Sequence, residues 1–436
     1  MLRLVRIGRL GRCSAATVRS LPGSCLPSRD IHTADSRIIL GIETSCDDSC
    51  AAVVAGPASP SIHSDQYKVL SQVITHQDHF ATGGIHPFTA ALSHAANLPD
   101  TIARALADAG IGPDGAGIDA IAVTQGPGMA SSLGVGLTAA KTLAAAWRKD
   151  IIYIHHMAAH ALTPLLTEKE PPQFPFLTLL VSGGHTMLVL ASSPTQYRLL
   201  ATTTDDSIGD AFDKVARALQ IEWGGHTGFT NPGAALEYFA AQDSSTDLGH
   251  ALPTFPVPGP GTMTFSYSGI KSAVLRYIER NLPSDALTSQ EPTYISHRRA
   301  VARAFQHGAI RQIEDRVALA FGLRQRSKAD GTAPMGIEGV SIRDVVCSGG
   351  VASNSYLRSR LASLLSTARQ NDTSSSLAEE EDHPRTTVRT HFPPLSLCTD
   401  NAVMIAFAGH LMWERRTRDF AQHARPRWSL EDLSQS

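Results

Sequence analysis

The chain has 436 residues, 42% of them hydrophobic and 18% charged, with 38 basic side chains against 40 acidic ones. That length suits two folded units rather than one small core, and a charge this near balance means that any nucleic-acid binding must come from a local basic patch. No apolar run approaches the ~20 residues that span a bilayer. The six cysteines (Cys13, Cys25, Cys46, Cys50, Cys347, Cys398) form no CxxC pair, which argues against a disulfide framework or a thiolate zinc site.

The first 36 residues stand apart. Arg3, Arg6, Arg9, Arg12, Arg19 and Arg29 precede the first acid, Asp30, with Leu2, Leu4, Val5, Ile7 and Leu10 between them. An Arg-rich, acid-poor amphipathic leader predicts an organellar transit peptide, and its arginines interrupt the apolar core that a secretory signal needs.

Residues 38–42 and 51–55 are expected to be paired strands around the polar turn 43–49. Residues 176–181 and 186–191 repeat that style around Ser182-Gly183-Gly184-His185, so the two halves look internally duplicated. A strand at 118–123 is followed by the break Gly126-Pro127-Gly128. A small-residue helix then covers 130–147, with Leu133, Leu137, Ala140 and Leu143 at helical spacing. A short strand at 151–154 runs directly into His155-His156-Met157-Ala158-Ala159-His160. Helical patterns follow at 207–219, 233–241, 268–281 and 295–321. A strand at 340–347 precedes a helix at 353–365, and a helix at about 401–416 closes the pattern. Alternating strands and helices argue for an α/β protein with mixed sheets. Pro256 to Gly261 reads as a loop. Residues 366–384, with three consecutive serines and three consecutive glutamates, have the composition of a disordered surface insert.

His156 and His160 are four apart, so on a helix they share one face and can share a metal. A zinc-protease HExxH motif needs glutamate after the first histidine, and Met157 stands there. Asp400 is the best third ligand, although its place at a helix start also fits an N-cap. Ser348-Gly349-Gly350, between a strand and a helix, and Ser182-Gly183-Gly184 in the hairpin let backbone amides approach an anion; a plain tight turn is the competing reading. Asp206 or Ser207 could cap the helix that they precede. Asp213, deeper in it, could accept from ribose hydroxyls or pair with Lys214 or Arg217. Arg298, Arg299, Arg303 and Arg311 on one helix, and Arg415, Arg416, Arg418, Arg425 and Arg427 near the end, are candidate phosphate contacts or solvated surface.

Eight strings together resemble the universal family of tRNA threonylcarbamoyladenosine transferases. They are GIETSCDDS (41–49), GPGMASSLGVG (126–136), HHMAAHAL (155–162), LLVSGGHT (179–186), DDSIGDAFDKVAR (205–217), FSYSGIKSA (265–273), CSGGVASNSYLR (347–358) and CTDNAVMIA (398–406). They are collinear over about residues 37–415. The resemblance implies a two-lobed actin/hexokinase/Hsp70-like fold with an interlobe active site. A first lobe would cover 37–170, completed by 400–420, a second 171–399, and a tail 421–436. It implies transfer of threonylcarbamoyl from threonylcarbamoyl-AMP, made by a separate synthase, to N6 of adenosine 37, next to the tRNA anticodon. It implies one divalent ion, zinc or iron, on His156, His160 and Asp400. Leu180, Val181, Ser182, Gly183, Gly184, Asp213, Gly233, Glu237, Ser353, Asn354 and Thr399 match positions that hold the donor. Asn231-Pro232-Gly233 stands where relatives carry Gly-Gly, and Gly224-Gly225 offers a second alignment. The stretch Gly83 to Phe88 lacks the acid that bacterial and cytosolic relatives usually have after the proline, as in the mitochondrial branch. With the leader, this implies a mitochondrial matrix enzyme acting as a homodimer. A kinase of the same fold, a metalloprotease and a non-catalytic tRNA-binding scaffold are the competing readings; no general base is identified.

Overall fold

The computed structural model describes residues 36–79, 84–224, 227–229, 231–242, 253–323, 340–371 and 388–435. The leader, apart from Ser36, lies outside the described residues, as do Cys13, Cys25, Gly225 and positions 372–384 of the expected insert.

The first half begins with β1 (Ser36–Glu43), β2 (Ser49–Pro57) and β3 (Lys68–Thr75), followed by α1 (Pro87–Asp108) and β4 (Ala120–Gly126). It continues through α2 (Ala130–Trp147), β5 (Asp150–His155) and α3 (His156–Thr167). Its sheet has the order β3-β2-β1-β4-β5. β1 pairs antiparallel with β2, and β4 runs parallel to both β1 and β5. The second half contains β6 (Phe176–Val181), β7 (Thr186–Ser193), β8 (Gln196–Thr203), α4 (Ile208–Ala218), α5 (Pro232–Ala241) and β9 (Thr264–Phe265). Next come α6 (Ser268–Asn281), α7 (Ser284–Thr288), α8 (Pro292–Ala320), β10 (Asp344–Ser348), α9 (Ser355–Asn371) and β11 (Arg389–His391). The last helices are α10 (Leu395–Cys398) and α11 (Ala402–Leu411). The second sheet has the order β11-β10-β6-β7-β8-β9.

Apart from the added β9, the second sheet repeats the first strand for strand. A three-stranded antiparallel meander is followed by two strands parallel to its first member. The duplication expected from the two hairpins is therefore a duplication of topology, as in the actin/hexokinase/Hsp70-like fold. Among the described residues no helix is long and apolar enough to cross a membrane, and Cys46, Cys50, Cys347 and Cys398 are free thiols.

β1 is buried on both faces, which is why it reads as a continuous apolar run. Ile38, Leu40 and Ile42 enter a core roofed by α1 and α2, whereas Ile39 joins a second core. That second core contains residues of α3 and α11 and also Leu180, Val189 and Val346 of the other sheet, so it joins the halves. Each of these fully buried aliphatic side chains contributes roughly 1.5–3 kcal/mol, and a charge at Leu40 would break the layer. α11 crosses β1 at Gly41, where a Cβ would lie 2.3 Å from the carbonyl oxygen of Ala402. Glycine here lets the helix settle on the strand, which brings Asp400 beside the end of β1.

Three expectations change. The helix expected at 353–365 runs to Asn371, because residues 366–371 contain neither proline nor glycine; the start of the expected disordered insert is thus helical. The strand expected from residue 340 begins only at Asp344. The terminal segment is packed rather than a free tail. Arg425 donates its amide to the Gln125 carbonyl, and Trp428, Leu430 and Leu433 are buried in the joining core.

Candidate metal centre and the loops around it

β5 delivers the chain straight into α3. His155 is the N-cap of that helix, accepting from the Ala158 amide, and its Nε2 donates to the Trp428 carbonyl at 3.1 Å. Both ring nitrogens are therefore used structurally. One residue on, His156 and His160 stand a turn apart with ring centroids 4.7 Å from each other, edge to face. Asp400 reaches them from between α10 and α11. Its Oδ1 lies 3.1 Å from His160 Nε2 and 3.5 Å from His156 Nε2. The helix cap that Asp400 could have supplied is supplied by Asn401, whose side chain accepts from the Met404 amide at 2.9 Å. That leaves the Asp400 carboxylate for the histidines. Two imidazole nitrogens and one carboxylate oxygen thus lie within 4.8 Å of one another.

Behind His156 stands Glu43, at the end of β1. Its Oε2 is 3.1 Å from His156 Nδ1, and its Oε1 accepts from the Ser45 amide at 2.5 Å. The Thr124 hydroxyl donates to Oε2, and Ser45 Oγ lies 3.2 Å from the same His156 nitrogen. A metal-binding histidine characteristically gives its other ring N–H to a carboxylate, which fixes the tautomer and raises the basicity of the free nitrogen. Glu43 does this for His156 and leaves Nε2 directed to Asp400. The buried Nδ1 of His160 has no hydrogen-bond partner. The donor set fits a divalent ion such as zinc or iron.

The charges of the cluster act strongly on one another. Burial opposes charge on His156, but Glu43 and Asp400 outweigh it and hold the pKa up at about 9. Burial would raise Asp400, yet the two histidines hold it well below the ordinary carboxylate range. Burial lowers His160 despite the neighbouring Asp400. His185, just past the Ser182-Gly183-Gly184 turn, is pushed down to about 4, chiefly by burial and further by the neighbouring His156 and His160, so it is neutral at pH 7.

The glycine turns meet beside this centre. Leu180 and Val181 end β6 with their side chains in opposite cores, so they offer a ligand only backbone. Gly183 and Gly184 are exposed. The Ser207 hydroxyl, which caps α4, also lies 2.5 Å from the Gly183 carbonyl, so the amino end of α4 abuts the turn. Gly349 has φ 99°, and a Cβ there would lie 2.4 Å from the Val181 carbonyl oxygen. Only glycine lets the second turn pass so close to the first. Ser353 donates to the Gly350 carbonyl, and Asn354 caps α9 through the Leu357 amide. Glu237 accepts from both the amide and the hydroxyl of Ser355 at 2.7 Å, which draws α5 to the start of α9. Asp213 accepts from the Gly233 amide at 2.8 Å. It does not pair with Lys214, which binds Asp206 and Asp210. Burial pushes the Asp213 pKa up to about 6, against the Gly233 bond and Arg217. Thr399 is exposed next to Asp400. The expected donor-holding positions thus form two groups. One is the paired turns with Thr399, and the other, at the helix ends, is the bonded pair Asp213 and Gly233 together with Glu237, which bonds Ser355 next to Asn354.

The arginine stripe is corrected. Arg298 donates to the carbonyls of Leu219 and Gln220, Arg299 to that of Phe239, and Arg303 to those of Ala240 and Gln242. These are the unsatisfied carboxyl ends of α4 and α5, which need donors. The three guanidiniums are internal caps; Arg311 and Arg427 are exposed. Glu43 and His185 have no role assigned from the sequence pattern alone. The isolated acid ending an apolar strand was the available signal for Glu43.

The family model for TsaD, tRNA N6-adenosine threonylcarbamoyltransferase, matches residues 68–407. A tRNA N6-adenosine threonylcarbamoyltransferase of Novosphingobium aromaticivorans is 37% identical over 401 residues, covering 91% of this chain and 96% of the relative. The chain belongs to this transferase family. One from Brucella ovis is 36% identical over 397 residues, with 91% and 96% covered. Among solved structures, HypF from T. kodakarensis aligns at a TM-score of 0.49 and 13% identity, covering 87% of this chain and 48% of that one. A ROK hexokinase from Thermus thermophilus aligns at 0.36 and 14%, with 86% and 97% covered.

Proposed function

We propose that the chain transfers the threonylcarbamoyl group of threonylcarbamoyl-AMP to N6 of adenosine 37 in mitochondrial tRNAs that read codons starting with A. In that step a bond forms between N6 and the carbamoyl carbon, the carbon–oxygen bond to phosphate breaks, AMP departs, and N6 loses one proton. The observation that carries the reading is the convergence of His156, His160 and Asp400, backed by Glu43, beside two glycine turns in a chain of this family.

His156, His160 and Asp400 would hold one divalent ion per subunit, zinc or iron. When bound, the ion supplies a positive charge that polarises a carbonyl or phosphoryl oxygen. Glu43 keeps His156 in the tautomer whose Nε2 faces the centre. The exposed turn at Gly183 and Gly184 lets phosphate oxygens approach the backbone, and Asp213 and Glu237 are the carboxylates placed for ribose hydroxyls. An aromatic amine is a poor nucleophile, so these groups act chiefly by positioning the reactants. A base in the anticodon loop is already single-stranded, which keeps the cost of presenting it low. The Arg-rich leader supports a mitochondrial matrix location. Phe88 and Leu92, exposed a turn apart on α1, and Ile85, exposed just before it, support a homodimer.

The test is incubation of the chain with unmodified tRNA and a synthase that supplies the adenylate, followed by nucleoside mass spectrometry. Threonylcarbamoyladenosine from the parent but not from His156→Ala is the expected result. No product from the parent with the donor confirmed present would overturn the reading.

A further inference from the structure

The segment that presents Asp400 has little regular structure of its own. β11 is three residues long and pairs with β10 at the edge of its sheet. α10 is a single turn, and Pro394, Leu395 and Ser396 at its start are exposed. The far end of the segment is pinned by Asn401, whose Nδ2 donates to the carbonyls of Thr399 at 2.8 Å and Leu397 at 3.3 Å. The near end is pinned by a residue that belongs to neither β11 nor α10, Arg358 in the first turn of α9.

The Arg358 guanidinium reaches two pieces of chain at once. Its Nε donates to the Ala352 carbonyl at 2.7 Å, and its Nη2 lies 3.2 Å from the Pro393 carbonyl and 3.3 Å from Cys398 Sγ. Its central carbon sits 4.9 Å from the Phe392 ring centroid. Cys398 is fully buried, and its thiol donates to the Pro393 carbonyl at 3.3 Å, so the sulfur accepts from Arg358 while its proton goes to Pro393. On the other side, the turn after β10 bonds internally. The Gly349 carbonyl accepts from the Ala352 amide, that of Gly350 from the Ser353 hydroxyl, and that of Val351 from the Asn354 amide. The Ala352 carbonyl goes to Arg358. One side chain therefore joins the glycine turn after β10 to Pro393 and Cys398 after β11, and Thr399 and Asp400 follow directly.

We propose that Arg358 is a positioning residue that locks the Asp400 segment to the glycine turn, so that metal and adenylate binding reinforce each other through it. The inference rests on the transfer reading above and concerns how its two subsites are held together. The turn, with Ser353 and Asn354, belongs to the adenylate side of that reading, and Asp400 belongs to the metal side. A ligand that orders one segment orders the other through the shared guanidinium, and the second ligand then meets a smaller ordering cost. The effect is reciprocal, as linkage requires. Arginine suits this task because its planar fork carries donors to two segments together, whereas lysine brings a single charged point on a flexible stem.

The experiment measures binding and needs no turnover. The zinc affinity of the full-length protein is determined by chelator competition, with and without saturating AMP. In the parent, AMP should tighten zinc binding by about fivefold or more. Arg358→Met keeps an unbranched stem beside Phe392 and removes the fork, and the AMP effect should vanish. Arg358→Lys keeps the charge and should lose the effect as well. Thermal unfolding checks that both variants are folded at the assay temperature; a merely structural role would lower the unfolding temperature and leave the AMP effect in place. An intact effect in folded Arg358→Met overturns the proposal. So does an intact effect in Arg358→Lys, which would show that charge alone suffices, or a parent whose zinc affinity ignores AMP. Zinc binding that survives in His156→Ala would sink the metal reading and the link with it. A parent that shows the effect but makes no threonylcarbamoyladenosine would keep the link and sink the transfer reading.

Discussion

Asp213 offers a quantitative test, because its proposed role and its effect on stability have opposite signs. Its carboxyl is drawn out of water at the packing of α4 on α5, and its pKa is about 6 in the folded chain, against about 4 in an unfolded one. A raised carboxylate pKa penalises folding once the unfolded chain ionises. Below about pH 4 both states are protonated and nothing is lost. Between about pH 4 and pH 6 stability falls by ~1.4 kcal/mol per pH unit, and above pH 6 it levels off. Asp213→Asn removes the ionisation and keeps an oxygen that can accept from the Gly233 amide. Urea unfolding of parent and variant at pH 4.5 and pH 7.5 isolates the effect, since any packing change cancels between the two pH values. The variant should gain about 2 kcal/mol relative to the parent on going from the lower to the higher pH. Its affinity for an adenylate analogue should fall at the same time, if the carboxylate serves ribose hydroxyls. A stability difference that does not move with pH would refute the electrostatic argument, and unchanged analogue affinity would remove Asp213 from the donor site.

Glu43→Gln preserves shape but cannot hold His156 as a carboxylate does; metal affinity, measured by chelator competition, should drop about 10- to 100-fold. An unchanged affinity would show that Glu43 serves only the fold. Gly41→Ala drives a methyl into the Ala402 carbonyl at 2.3 Å and the Ala406 amide nitrogen at 2.8 Å. Both are backbone atoms, so thermal unfolding should show a loss of at least about 1–3 kcal/mol, accompanied by weaker metal binding as α11 carries Asp400 away. The two kinds of arginine should separate cleanly. Arg303→Ala deprives the Ala240 and Gln242 carbonyls of their donor and should lower stability by about 2–4 kcal/mol without altering the salt dependence of tRNA binding. Arg427→Ala, at an exposed position, should leave stability unchanged and reduce the slope of log affinity against log salt by about one if it meets a phosphate.

What the sequence revealed was mostly what lies close together along the chain. The His156–His160 pair, the glycine turns and the two hairpins are local patterns, and periodicity placed their helices and strands within a few residues. The partnership of Glu43 with His156 spans 113 positions. It exists because β1 and β5 both flank β4 in parallel register, which no local pattern encodes. The arginines of α8 failed for a related reason. Their spacing resembles a wet, basic helix face, but that face lies over the ends of α4 and α5, and the sequence does not say where another helix runs out of donors. Asp400 was open between a cap and a ligand for the same reason: the decision rests on its neighbour Asn401 taking the cap.

The duplicated topology explains why the centre forms where it does. In each sheet the strand beyond the central parallel pair is the fifth of the repeat, β5 in one half and β11 in the other. The chain leaving β5 turns at once into α3 and presents His156 and His160, whereas the chain leaving β11 passes through α10 to Asp400. The metal centre is therefore built from the equivalent exits of two equivalent sheets. Glu43 lies at the carboxyl end of the first strand of one repeat, and the Ser182-Gly183-Gly184 turn follows the first strand of the other. In open α/β sheets, ligands gather beyond the carboxyl ends of the strands, where the connections diverge. Here two such edges face each other across the joining core. The halves share the work: one contributes the histidines and the carboxylate behind them, and the other contributes Asp400 and the backbone turns. A substitution that shifts one sheet against the other, such as a charge at Val346 or Ile39 in the joining core, should therefore weaken metal binding, measured by chelator competition, without touching a ligand.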